Sequence, residues 1–132
     1  MIKIISSNQR GFTFLEVMIA LTLLSIGTLA VSAMCVSSTQ ASAKSKRITA
    51  AAILAQDKLE EFKNQTFSAI PIGTNTADPN NPVDEQGNAG GCYNRSWTVT
   101  TVAPFTFVKR VVCTVSWDSG NHSVSLYTMI TR

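Results

Sequence analysis

The 132-residue chain is 45% hydrophobic but only 14% charged, with a formal net charge of +3; an ordinary soluble domain carries roughly 25% charged residues. Its length suits one domain, and its weak charge gives little electrostatic support for nucleic-acid binding, which needs a basic patch. One histidine and three cysteines leave too little material for a metal cluster or a histidine-based triad, so no cofactor and no enzymatic site are expected.

Residues 1–11 form a short, polar-ended leader that contains Lys3 and Arg10. Without them, nine of the eleven basic side chains remain against eight acidic ones, a net charge of +1. An apolar run follows from Phe12 to Val36, in which Glu16 is the one acidic or basic side chain. A spanning helix takes about 20 mostly apolar residues, so the run is long enough to cross a bilayer.

Three export readings compete for this run. A secretory signal could end at Val31-Ser32-Ala33, but the run is too long for one and a carboxylate is out of place in it. A lipoprotein would use Cys35, but the bulky Met34 before it is a poor match. A simple uncleaved anchor also fits. Lys44, Lys46 and Arg47 after the run outnumber Lys3 and Arg10 before it, so charge does not settle the orientation.

The helical pattern continues past Val36. Ile48, Ala52, Ala55, Leu59 and Phe62 recur at steps of four and three, while Gln56, Asp57, Lys58, Glu60, Glu61 and Lys63 occupy the opposite face. No proline occurs between Phe12 and Ile70. One helix is predicted over 12–65, about 80 Å long at 1.5 Å per residue. Its second half is amphipathic and must pack on something. Pro71 then ends the helical region, and residues 71–92 read as a loop rich in Pro, Gly, Asn and Asp.

From Tyr93 the period changes to two. Trp97, Val99 and Thr101 mark one strand; Phe105, Phe107, Val111, Cys113, Val115 and Trp117 mark one face of a second. Asp118-Ser119-Gly120-Asn121 is a hairpin turn, and Val124, Leu126 and Ile130 mark a third strand. The expected fold class is α+β: a three-stranded antiparallel sheet whose apolar face covers the stripe from Ile48 to Phe62. The chain divides into a leader (1–11), a membrane helix (12–36), its amphipathic continuation (37–70), a loop (71–92) and the sheet of a globular head (93–132).

Export permits disulfides, and Cys92 and Cys113, both in the polar half, are the natural pair; two buried free thiols are the alternative. Such a bond would close a loop of about 20 residues and contribute roughly 3 kcal/mol, with Gly90-Gly91 letting the chain bend into it. Cys35 reads as a small packing residue. Trp97 and Trp117 read as core, and Lys109 with Arg110 as a local basic patch.

Glu16 is the informative residue. A carboxylate inside a spanning helix costs roughly 2.5–3.5 kcal/mol and normally has a partner. Cleavage between Gly11 and Phe12 would create a positive amine on Phe12, which could reach the Glu16 of a neighbouring chain in a low-dielectric surrounding. Solvation by lipid headgroups is the other reading.

The stretch Arg10-Gly11-Phe12-Thr13-Phe14-Leu15-Glu16-Val17 resembles the processing site of type IV prepilins and type II secretion pseudopilins. That resemblance implies a membrane peptidase that cuts after Gly11 and N-methylates Phe12. It also implies that Glu16, at the fifth mature position, supports methylation and assembly. The implied partners are the prepilin peptidase/N-methyltransferase, the inner membrane, and other pilin or pseudopilin subunits met through the N-terminal helix; no nucleic acid is expected. The implied location is the inner membrane before assembly, and a cell-surface pilus or periplasmic pseudopilus afterwards. The stretch from Ala55 to Phe62 and the ending from Val115 to Leu126 are similar to minor pilins of the PilV kind and to I-type minor pseudopilins. Unlike many major pilins, the helix has no proline near Ala33-Met34-Cys35. A minor subunit at a tip or in an initiation complex is therefore the expected role. A surface-binding module that uses the 71–91 loop is the alternative of another class.

Overall fold

The computed structural model describes residues 11–132; the leader before Gly11 lies outside the described residues. The elements in chain order are α1 (Phe14–Asn64), a short 3-10 turn (Phe67–Ala69), β1 (Gly73–Ala77), β2 (Asn94–Val102), β3 (Phe105–Trp117) and β4 (His122–Thr131). The strands form one antiparallel sheet in the order β1-β2-β3-β4. The architecture is α+β and pilin-like. The chain divides into two compact units between Ser42 and Ala43.

In the N-terminal unit, α1 starts at Phe14 rather than Phe12 because Thr13 caps it. The Glu16 N–H donates to Thr13 Oγ1 at 3.3 Å, and Thr-x-x-Glu is the sequence pattern of a capping box. From there to Ser42 every residue is exposed. The hydroxyls in this apolar segment bond back to their own helix: Thr22 to the Ile19 carbonyl, Ser25 to Thr22, Thr28 to Ser25 and Ser32 to Thr28, at 2.7 to 2.9 Å. No hydroxyl in that series needs water, which is the condition for tolerating it in hydrocarbon.

In the second unit, α1 buries Ala51, Leu54, Ala55, Leu59 and Phe62. They pack with Tyr93, Val99, Val111, Cys113, Val115 and Trp117 of the sheet side in one core. The buried stripe is rotated from the expected one. Ile48 is exposed and Ala52 only half-buried, while Ala51 and Leu54 take the inner positions. The 3.6-residue period places the stripe but not its edges, because alanine flanks it on both sides at 50–52.

The sheet has four strands where three were expected. β1, Gly-Thr-Asn-Thr-Ala, lies inside the predicted loop and pairs with β2 through Gly73–Val99, Thr76–Trp97 and Ala77–Ser96, with a bulge between the first two pairs. It is an edge strand with little buried surface, so backbone bonds hold it and no apolar alternation marks it. The rest of the loop is also built. Val83 is fully buried and bridges both Ala89 and Tyr93.

On β3, Lys109, Val111, Cys113, Val115 and Trp117 face inward, whereas Phe105 and Phe107 are about half exposed. The expected apolar face thus ends at Lys109, and the two phenylalanines lie farther out along the strand.

Candidate processing and assembly site

Gly11, Phe12 and Thr13 precede the first helical residue and are exposed, with Phe12 at 81%. The bond between Gly11 and Phe12 therefore lies on non-helical backbone, with nothing within 4 Å of where a Gly11 side chain would start. A protease needs an accessible, unwound segment, and the Thr13 cap supplies one by fixing the helix start two residues downstream. Glu16 follows Phe12 by four residues, about 6 Å along a helix axis. Among the described residues it has no ion-pair partner.

Around it, Phe12, Phe14, Leu15, Val17, Met18 and Ile19 begin a series of exposed large apolar side chains that reaches Val36. This is the segment of α1 that is long and apolar enough to cross a membrane. Such a surface requires lipid or other helices around it.

The head carries a second cluster that sequence reasoning missed. Arg95 of β2 is 8% exposed and Asp78 is 6% exposed. Their charges meet at 2.6 Å from Arg95 Nη2 to Asp78 Oδ2, and Arg95 Nε donates to the same oxygen at 2.8 Å. Arg95 Nη1 also donates to the Leu54 carbonyl of α1 at 3.2 Å. Asn81 completes the arrangement: its Nδ2 donates to the Arg95 carbonyl and its Oδ1 accepts the Arg95 N–H, both at 2.8 Å. One arginine thereby joins the loop, the sheet and the helix. Burial works to raise the Asp78 carboxyl, but the Asn80 N–H and the Arg95 guanidinium, with the Lys58 charge, hold it below its ordinary value.

Lys109 has the matching role at the far end of α1. It is 7% exposed, its ammonium donates to the Phe67 and Ile70 carbonyls at 2.7 Å each, and it lies over the Phe67 ring. The expected basic patch with Arg110 is therefore corrected: Lys109 is an internal clamp, while Arg110 stacks on Tyr127 on the other face. Arg95 and Lys109 both fall on the inward parity of their strands. That parity is the signal that could have identified them.

The expected Cys92–Cys113 disulfide is also corrected. Both are free thiols, with Cys92 exposed and Cys113 buried. Cys113 lies directly across from Trp97, five residues along from Cys92. At about 3.3 Å per residue that is roughly 17 Å, whereas a disulfide needs Cα atoms within about 7 Å. Burial pushes the Cys113 thiol up to about 11, so it is an inert core residue. Gly91 then needs another explanation. A Cβ there would overlap the Val83 carbonyl and the Asp84 nitrogen, so the glycine permits close passage of two backbone segments. Next to it, Asp84 Oδ1 accepts the N–H groups of Asn88 and Gln86, and with the Asn88 bond the largest cause, the Asp84 carboxyl is held below its ordinary value.

Residues 6–32 match the family model described as the prokaryotic N-terminal methylation motif. The matched segment contains Gly11, Phe12, Glu16 and the first half of the apolar helix. No characterised protein and no solved structure matches the chain. The motif marks a type IV pilin-like or pseudopilin-like substrate of prepilin peptidase, a class of structural proteins that are usually not enzymes. The apolar helix fits membrane anchoring before assembly and a pilus afterwards.

Proposed function

We propose that this chain is a non-enzymatic filament subunit of the minor-pilin kind. Prepilin peptidase cuts it after Gly11 and methylates Phe12, and it assembles with other subunits through the helix that begins at Phe14. The observation that supports this reading most is the joint placement of an exposed, unwound Gly11–Phe12 bond and a lone carboxylate four residues on, at the head of an apolar helix. In an assembled array, the Phe12 amine of one subunit neutralises the Glu16 of its neighbour, offsetting the cost of a carboxylate in hydrocarbon. The minor-subunit role rests on the similarity of the Ala55–Phe62 stretch, and the inner membrane is the site of insertion.

The test is the intact mass and N-terminal peptide of the protein from its native membrane. A chain beginning at methylated Phe12 is expected; one beginning at Met1 or Met34 overturns the proposal. In parallel, Glu16→Ala should insert and be cleaved yet be lost from filaments, and unchanged assembly would remove the intermolecular pairing.

A further inference from the structure

Lys44, Lys46 and Arg47 place three positive charges within four residues of α1, and all three are exposed. Several basic side chains elsewhere in the head have partners: Lys58 pairs with Glu61, Arg95 with Asp78, Lys109 with two carbonyls and Arg110 with the Tyr127 ring. These three make no ion pair among the described residues. The helix itself supplies no carboxylate nearby, because no acidic residue stands between Glu16 and Asp57, and Asp57 lies ten residues beyond Arg47. Glu85 lines the same groove as Ser45, Lys46 and Thr49 but does not pair with the lysine. Three cations against that one carboxylate leave a surface of uncompensated positive charge.

Its place in the chain says what meets it. α1 is unbroken from Phe14 to Asn64, and the exposed apolar series of its membrane-length stretch ends at Val36. Residues 37–43 are Ser, Thr, Gln and Ala alone, so no large apolar side chain draws them into hydrocarbon. Lys44 and Arg47 follow Val36 by eight and eleven residues, about 12–17 Å of helix at most. That limit comes from the chain and holds however the head stands. Headgroups add roughly 5–8 Å to each side of the hydrocarbon, and the field of anionic lipid extends about 8 Å further at physiological ionic strength. Lysine and arginine also reach back along their flexible stems. The three charges therefore lie within the field of an anionic bilayer whenever the apolar stretch spans it.

We propose that Lys44, Lys46 and Arg47 form a binding surface for anionic phospholipid headgroups. This inference rests on the membrane-anchoring reading above and adds a lipid preference to it. The contact needs a single copy, so it belongs to the subunit resident in the membrane and is given up when the helix leaves the bilayer.

The experiment uses the full-length chain in detergent micelles, titrated with equal amounts of phosphatidylglycerol and phosphatidylcholine, with the retained lipid counted by native mass spectrometry. Preference for the anionic lipid is expected, falling by about fivefold for each charge removed and largely gone in Lys44→Gln/Lys46→Gln/Arg47→Gln. Lys44→Arg/Lys46→Arg should keep it, and Lys63→Gln/Arg132→Gln, which removes charge elsewhere on the head, should leave it unchanged. Inorganic phosphate at the same concentration should not displace the lipid. Equal retention of the two lipids, a preference that persists in the triple variant, an equal loss in Lys63→Gln/Arg132→Gln, or displacement by inorganic phosphate would each overturn the proposal. Alkaline carbonate extraction of native membranes separates the two readings. A chain that stays in the membrane but shows no preference removes the headgroup surface alone; a chain that washes off removes membrane anchoring as well.

Discussion

Replacing Asp78 by alanine tests whether the Asp78–Arg95 pair organises the head. The substitution leaves the Arg95 guanidinium, 8% exposed, with the Leu54 carbonyl as its remaining side-chain partner. Breaking a buried pair from one side costs about 3–5 kcal/mol. A domain of 60–100 residues loses about 4–8 °C in Tm per kcal/mol, so the head should melt at least about 12 °C lower. The assay is thermal unfolding of the full chain in detergent micelles, followed by fluorescence of Trp97 and Trp117. The double variant Asp78→Ala/Arg95→Met removes both charges and should recover most of the loss, because an apolar replacement of a buried pair is often close to neutral. The pair also sets an acid limit. The folded Asp78 carboxyl lies below its ordinary 3.8, so its contribution is fully present above that value and disappears as the pH falls through the lower folded one. The single variant should lack this component of the decline below about pH 4. A loss under about 1 kcal/mol in Asp78→Ala, or a double variant as unstable as the single one, would refute the argument.

Other substitutions test other parts of the head. Lys109→Met leaves the Phe67 and Ile70 carbonyls without their donor and should cost about 2–4 kcal/mol in denaturant titration. Gly91→Ala forces Val83 and Asp84 apart; limited proteolysis should cut within 79–92, whereas Gly27→Ala, with open space around it, should leave the head unchanged. In the folded protein a water-soluble thiol reagent should label Cys92 and spare Cys113, because burial lifts the latter to about 11. Oxidised and reduced samples should then melt together, and a higher Tm after oxidation would restore the disulfide.

Sequence alone reveals the long helix, its end near Asn64, the hairpin turn at 118–121 and the inward rows of β2 and β3. Each of these depends on apolar periodicity or turn chemistry, which are local. What it hides is held by groups with no period. β1 has no apolar row, and Asp78 and Asn81 look like ordinary loop residues until Arg95 reaches them across 17 and 14 positions. The two cysteines show the same limit from the other side. Redox compartment and spare count favour a bond, but the register of β2 against β3 decides, placing Cys113 across from Trp97.

The proposed processing segment was legible because it is contiguous: Gly11, Phe12, Thr13 and Glu16 lie within six residues and are recognised without any tertiary contact. Thr13 is the one member whose role needed the structure. By capping α1 at the Glu16 N–H, it keeps the Gly11–Phe12 bond off the helix and also fixes where Glu16 enters it. Under the proposed reading, the cap serves access by the peptidase and the position of the carboxylate together. Thr13→Ala separates it from its neighbours: it removes a cap of about 1 kcal/mol while leaving every charge in place. Slower processing with Glu16 intact would assign the cap to access, and unchanged processing would leave helix start and cleavage unlinked.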